Sequence, residues 1–359
     1  MSAPSSSAAS STHSSPGSST SSLPPAYPYF VGRKINIIKH SPAAPSGPAC
    51  KIPFSRDSEA WDTVSQEEYC LSRHPIAGTN CNDTSLSITI TAHLRTGNER
   101  SAQIVVVDDD RVAKIYDPLY YRWISPWGFN DEKEDVVRAA DRDYYREAVA
   151  YEELRGTEAE GTITPSYFGS WTMTVHGERG PRTVALILME HVKGSCMHDM
   201  DPQALPAAQR KEAIARVIEA DALLHYHGVD HNDLHLRNIL FAFQDPTLPL
   251  AAVDFKSPQV RVVLIDFNVS ELYRLEERTC AKLEGSKPLN PACLHCGLMG
   301  QYTNAGWLSN DEARDGEWLW QRYKGDVRYK DIKRAARARN TIWSVDIPDS
   351  ILGVEIEYE

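Results

Sequence analysis

Apolar and polar positions alternate along Leu86–Ala92 (LSITITA), and the β-branched residues there predict a strand. Ala102–Val107 (AQIVVV) and Val112–Tyr116 (VAKIY) read as two more, joined by the acidic turn Asp108–Asp110. The period then changes. Over Asp141–Leu154 (DRDYYREAVAYEEL), Tyr144, Ala148, Tyr151 and Leu154 fall on one helical stripe. Thr183–Met189 (TVALILM) predicts a buried strand. Pro206–His227 predicts a long helix with Ala213, Val217, Ala220 and Leu224 on one face, ending at Gly228. Arg261–Ile265 (RVVLI) reads as a further buried strand. Strands, one helix, strands, then mainly helix: this order predicts an α+β fold, a β-rich N-terminal lobe followed by a helical lobe.

The remaining segments set the boundaries. Met1–Ser22 is about half serine, and Ser41–Pro48 is rich in Pro, Ala and Ser. Such composition buries too little apolar surface to offset ordering entropy, so residues 1–51 read as a disordered Ser/Pro-rich tail. Residues 52–85 read as an N-terminal extension, and the acidic stretch 346–359 as a tail. The chain of 359 residues is long enough for a sizeable core. Its net charge of −11 argues against a general nucleic-acid binder or a polybasic membrane anchor. The apolar run Thr183–Met189 is far shorter than the roughly 20 residues of a membrane span. Seven cysteines, an odd count, argue for a reducing, intracellular and cytoplasmic setting over a disulfide-stapled fold.

Chemistry concentrates after the long helix. His231-Asn232-Asp233-Leu234-His235-Leu236-Arg237-Asn238 fits H-x-D-L-x-x-x-N, the catalytic loop of protein kinases, with Asn232 where arginine is usual. Val262–Ile265 then delivers Asp266-Phe267-Asn268 at the end of an apolar strand, like the D-F-G metal-binding motif. Upstream, Lys114 sits inside a strand and Glu147 on the next helix, with Glu152 and Glu153 as rivals. Phosphoryl transfer needs this set. Its catalysis is mainly positioning and charge neutralisation. Asn238 and Asp266 are hard oxygen ligands suited to Mg²⁺. Lys114, oriented by Glu147, can grip phosphates. Asp233 can accept a hydrogen bond from an attacking hydroxyl.

Residues 86–270 resemble the protein-kinase-like superfamily. They are similar to its aminoglycoside-phosphotransferase and choline-kinase-like branch and to the kinase-like proteins of fungi. His235, two residues after Asp233, and the pattern Glu147, Ala150-Tyr151, Leu154 carry this resemblance. It implies a two-lobed fold, with residues 86–192 as N-lobe and hinge, residues 193–345 as C-lobe and ATP in the cleft. Leu188–Val192 would be the hinge, with Met189 lining it and backbone groups of Glu190 and Val192 meeting adenine. The sequence departs from the pattern in places. Arg95-Thr96-Gly97-Asn98 is the best remnant of a glycine-rich phosphate loop, with Gly97 its one glycine. Asn268 replaces the last glycine of D-F-G, and no A-P-E segment follows.

Other features read as structural. Cys293-Leu294-His295-Cys296, near Cys280, is one C-x-x-C without a second pair and predicts buried thiols over a zinc site. Trp307, Trp318, Trp320 and Tyr323 read as packing. Lys330–Arg339 reads as a solvated helical face. The expected function is a Mg·ATP-dependent phosphotransferase acting on a hydroxyl of a protein or a small molecule. The alternative is a pseudokinase that binds nucleotide or a partner without turnover.

Overall fold

The alternation of β4 (Arg111–Tyr116) decides what faces what. Ala113 and Ile115 point into one apolar cluster, while Val112 and Tyr116 join another on the opposite side. In this computed structural model the first cluster fills a closed antiparallel barrel. Its other strands are β1 (Lys34–Ser41), β2 (Thr79–Arg95), β3 (Gln103–Val107), β5 (Tyr167–Gly177) and β6 (Gly180–Glu190), in the order β1-β2-β3-β4-β6-β5. The structure describes residues 27–43, 64–72, 78–124, 133–243, 245, 248–295, 299–309, 312–336 and 341–344. Closure removes the exposed sheet edges.

One expectation is corrected here. The tail expected over 1–51 includes β1, which pairs with both β2 and β5. Ile35 and Ile37 alternate into the barrel. Just before them Tyr29 donates to Asp117 Oδ2 at 2.6 Å, and Arg182 Nη2 lies 2.7 Å from the same oxygen. A short period-2 run flanked by Ser- and Pro-rich sequence gave no independent strand signal. Residues 79–85, placed in the extension, are the first part of β2. The acidic tail and most of the Ser-rich tail lie outside the described residues.

The outer face of β4 packs on α2 (Val136–Leu154); a shorter helix, α1 (Gln66–Ser72), precedes β2. Asp135 caps α2 by accepting from the Arg138 amide, so the helix begins five residues before its expected start at Asp141. The chain then passes through β7 (Gly194–Cys196) into α3 (Ala207–Tyr226). Gly228 ends that helix at φ +79°, where a Cβ would meet Cys280 at 3.1 Å. β8 (Val229–Asp230), β9 (Ile239–Ala242), β10 (Arg261–Leu264) and β11 (Glu271–Leu272) follow. β9 is the centre of a β10-β9-β7 sheet, and β8 pairs with β11. The helices α4 (Pro291–His295), α5 (Gly300–Asn304) and α6 (Glu312–Tyr323) complete the helical part, with Trp307 and Tyr323 in its core. The basic stretch expected as a helical face instead contains β12 (Lys333–Ala336), paired with β13 (Thr341–Ser344). Strand pairing overrides the helix propensity of its alanines and arginines. The whole is a mixed fold, an antiparallel β region followed by helices.

Candidate active site

Lys114 is placed by the pleat of β4 and Glu147 by the buried stripe of α2. Lys114 is 4% exposed and Glu147 0%. Lys114 Nζ donates to Glu147 Oε2 at 2.5 Å and to Asp266 Oδ1 at 2.5 Å. Tyr116, two residues along β4, donates to Glu147 Oε2 at 2.8 Å. The other carboxyl oxygen of Glu147, Oε1, is buried without a partner. The rivals Glu152 and Glu153 pair elsewhere, with Arg155 and Arg274.

The loop after β8 is tied into one unit. His231 Nε2 donates to the Ile265 carbonyl at 3.1 Å, and its ring lies 4.7 Å from that of Phe267. Asn238 donates from Nδ2 to Asp233 Oδ2 and to the Asp233 carbonyl, both at 2.8 Å. The Ile265 amide donates to the Asn238 carbonyl at 3.0 Å, which sets Asp266 beside the loop. Asn232 and Asp266 have φ of +58° and +70°. Non-glycine residues enter that region at a cost of about 1–3 kcal/mol each and stay only where their surroundings hold them. Asn232 precedes the Asp233 carboxylate, and Asp266 carries its own.

The charges are coupled. Burial works against the Lys114 ammonium, but Asp266 and Glu147 outweigh it and hold its pKa above the ordinary lysine value. Burial pushes Asp266 up, and Lys114, with a smaller contribution from Arg95, brings it below the usual carboxylate range. Glu147 is held above that range by burial despite Lys114. His231 is lowered by burial, in keeping with a neutral ring. Two carboxylates against one ammonium leave the cluster net negative, which suits a cation.

The donor set is consistent with a hard dication. Because Asn238 spends Nδ2 on Asp233, its Oδ1 is turned away, and no donor among the described residues reaches it. Asp266 likewise keeps Oδ2 unengaged. Asn238 Oδ1 and Asp266 Oδ2 are the oxygens that would hold Mg²⁺. No cluster of three or more His, Cys, Asp or Glu suited to a metal occurs among the described residues. Cys280 is buried and Cys293 half-buried; Cys296 lies outside the described residues.

Gly97 has φ +120°, and its amide donates to Gln103 Oε1 at 2.7 Å. Gln103, fully buried, returns Nε2 to the carbonyls of Gly97 and Ser101 at 3.0 Å each. The turn is therefore shaped by a side chain, and the Gly97 amide is engaged. At the expected hinge, Met189 is buried and its sulfur accepts from Tyr151. The Glu190 amide donates to the Ser166 carbonyl, and its carboxylate takes a two-bond fork from Arg261 at 2.7 and 2.8 Å. Val192 makes no backbone hydrogen bond to a described residue outside the regular elements.

Sequence reading missed Gln103, Arg261, Gln301 and the part played by Arg237. Gln301, on α5, donates to the Leu234 carbonyl at 2.8 Å and places Oε1 3.2 Å from His235 Nδ1. These partners are set by tertiary approach and carry no periodic signal. The chain matches no protein-family model and no curated protein. Among solved structures it is similar to the kinase domain of Mycobacterium tuberculosis PknI, at 16% identity and TM-score 0.29, over 51% of this chain. The match spans 60% of that domain's length. A cysteine-to-alanine variant of the same domain gives 15% identity and TM-score 0.33, over 61% of this chain and 73% of that one. Likeness at this level does not assign the fold.

Proposed function

We propose that this chain is a Mg·ATP-dependent phosphotransferase of two-lobed, kinase-like architecture. The observation that carries the reading is Lys114 held at 2.5 Å from both Glu147 and Asp266, beside the Asp233–Asn238 pair. In this reading Lys114 binds the α- and β-phosphates of ATP, and Glu147 orients it. Asn238 and Asp266 hold Mg²⁺, which neutralises charge on the phosphates when bound. Asp233 orients the acceptor hydroxyl and takes up its proton as the oxygen bonds to the γ-phosphorus and ADP leaves. Met189, Glu190 and Val192 line the adenine end; the Glu190 amide is engaged, so the Val192 backbone supplies the hydrogen bond to adenine. The catalytic unit takes in the whole barrel, β1 included, and the helical part that follows it.

The pinned Gly97 favours a second reading. A loop that offers no Gly97 amide to phosphate suits a nucleotide- or partner-binding module without turnover. Melting with ATP, with and without Mg²⁺, tests nucleotide binding: the proposal expects a Mg²⁺-dependent rise. Turnover separates the two readings. Asp266→Ala is expected to lose it by about 10²–10³-fold. Near-wild-type turnover in that variant would sink the assignment.

A further inference from the structure

Neither oxygen of the Asp233 carboxylate is open to an acceptor. Arg237 Nη2 donates to Oδ1 at 3.0 Å and to Oδ2 at 2.8 Å. Asn238 Nδ2 fills the second position on Oδ2, and His235 Nε2 lies 3.2 Å from Oδ1. A carboxylate offers about four lone-pair positions; three are filled by hydrogen bonds, and the His235 ring stands against the fourth. A hydroxyl can reach Asp233 only if one of these groups leaves.

The structure distinguishes which one. Asn238 is buried and holds the Asp233 carbonyl as well. His235 is braced by Gln301. The Arg237 side chain is 58% exposed, and Asp233 is its only ion-pair partner among the described residues. Its backbone is held in the 3₁₀ turn Leu236–Asn238, where the Asn238 amide donates to the His235 carbonyl at 2.8 Å. The guanidinium can therefore swing while the loop stays in place.

A neutral hydroxyl compound would have to break this ion pair and leave the guanidinium without a partner. A hydroxyl compound that also carries an anionic group replaces the lost partner as it arrives. We infer that Arg237 is a specificity residue that caps Asp233 until an anionic acceptor draws it away. The acceptor is then a hydroxyl compound bearing a phosphate or carboxylate close to the reacting oxygen. This rests on the phosphotransferase reading above.

The test is ATP hydrolysis by the full chain with Mg²⁺, titrated with sulfate against chloride at constant ionic strength. Sulfate is expected to stimulate wild type. Arg237→Met, already uncapped, should hydrolyse ATP about tenfold faster without sulfate and should not respond to it. An equal sulfate response in both proteins, or a slower Arg237→Met, would overturn the inference. Melting with sulfate provides a readout free of turnover. Asp233→Asn, which releases Arg237, should gain more from sulfate than wild type, and Arg237→Met should gain least; equal shifts overturn the inference. Melting with Mg·ATP on the same samples separates the two failures. No ATP shift at all defeats the phosphotransferase reading, whereas an ATP shift without any Arg237-dependent sulfate effect defeats only this inference. Repeating the titration with glycerol 3-phosphate and with a Glu-rich peptide separates sources of the anion: the effective class acts at the lower concentration.

Discussion

Lys114 and Asp266 lie 152 residues apart in sequence, yet their Nζ and Oδ1 atoms are 2.5 Å apart. The contact joins the outer face of β4 to the end of β10, and Glu147 on α2 closes it from the other side. Replacing the cation alone would leave two carboxylates with no countercharge. Lys114→Met is therefore expected to destabilise the fold by about 3–5 kcal/mol, the range for half of a buried ion pair. Urea unfolding of the variant measures this, and a loss below about 1 kcal/mol would mean the carboxylates find other partners.

Asn238 has two tasks that one substitution separates. Asn238→Asp keeps an oxygen for a cation but replaces the donor that bonds Asp233 at 2.8 Å. Two carboxylates at that distance raise each other's proton affinity. The variant should need more alkaline solution for activity than wild type. A pH–rate profile reads the shift directly; an unchanged acidic limb contradicts it.

Gln103 shapes the turn around Gly97 through part-buried hydrogen bonds, one to its amide and two to carbonyls. Gln103→Leu keeps much of the volume and removes all of them. It is expected to cost about 1–3 kcal/mol, since three part-buried hydrogen bonds are lost together. Amide hydrogen exchange should quicken over residues 96–101 while the rest of the barrel stays protected. Uniform quickening would show a general loss of stability instead.

His225 predicts a pH dependence of stability. Burial lowers its pKa, but bonding and charge from Asp221, with charge from Asp230, outweigh this and raise it above the ordinary histidine value. A raised folded-state pKa gives stability that is fully present below about pH 6.5 and lost as pH rises through the folded value. The melting temperature should therefore decline above that point. His225→Gln should remove this part of the decline, and an identical slope in both proteins would contradict the assignment.

Much of the site was legible because its parts are local. His231 to Asn238 span one loop, and Asp266 follows one apolar strand, so their order survives in sequence without any fold. Lys114 was readable from the pleat, since its neighbours Ala113 and Ile115 are apolar. The barrel was less legible. β1 has only Ile35 and Ile37 as fully alternating core residues, and its meaning comes from β2 and β5, with Thr172 and Trp171 as partners in the latter. Gln103 and Arg261 look like ordinary polar residues until the fold brings Gly97 and Glu190 to them. Arg237 was visible in the motif, but its cover of Asp233 depends on side-chain geometry.

Phosphate transfer by this constellation has a direct readout. The most direct measurement incubates the full chain with Mg²⁺, γ-labelled ATP and extract from its source cells, resolved into protein and small-molecule fractions. Asp233→Asn is run in parallel after confirmation that it is folded. The expected result is Mg²⁺-dependent label in one fraction, reduced by about 10²-fold or more in the variant. No label that depends on Asp233 in either fraction would contradict it and leave a nucleotide-binding module without turnover.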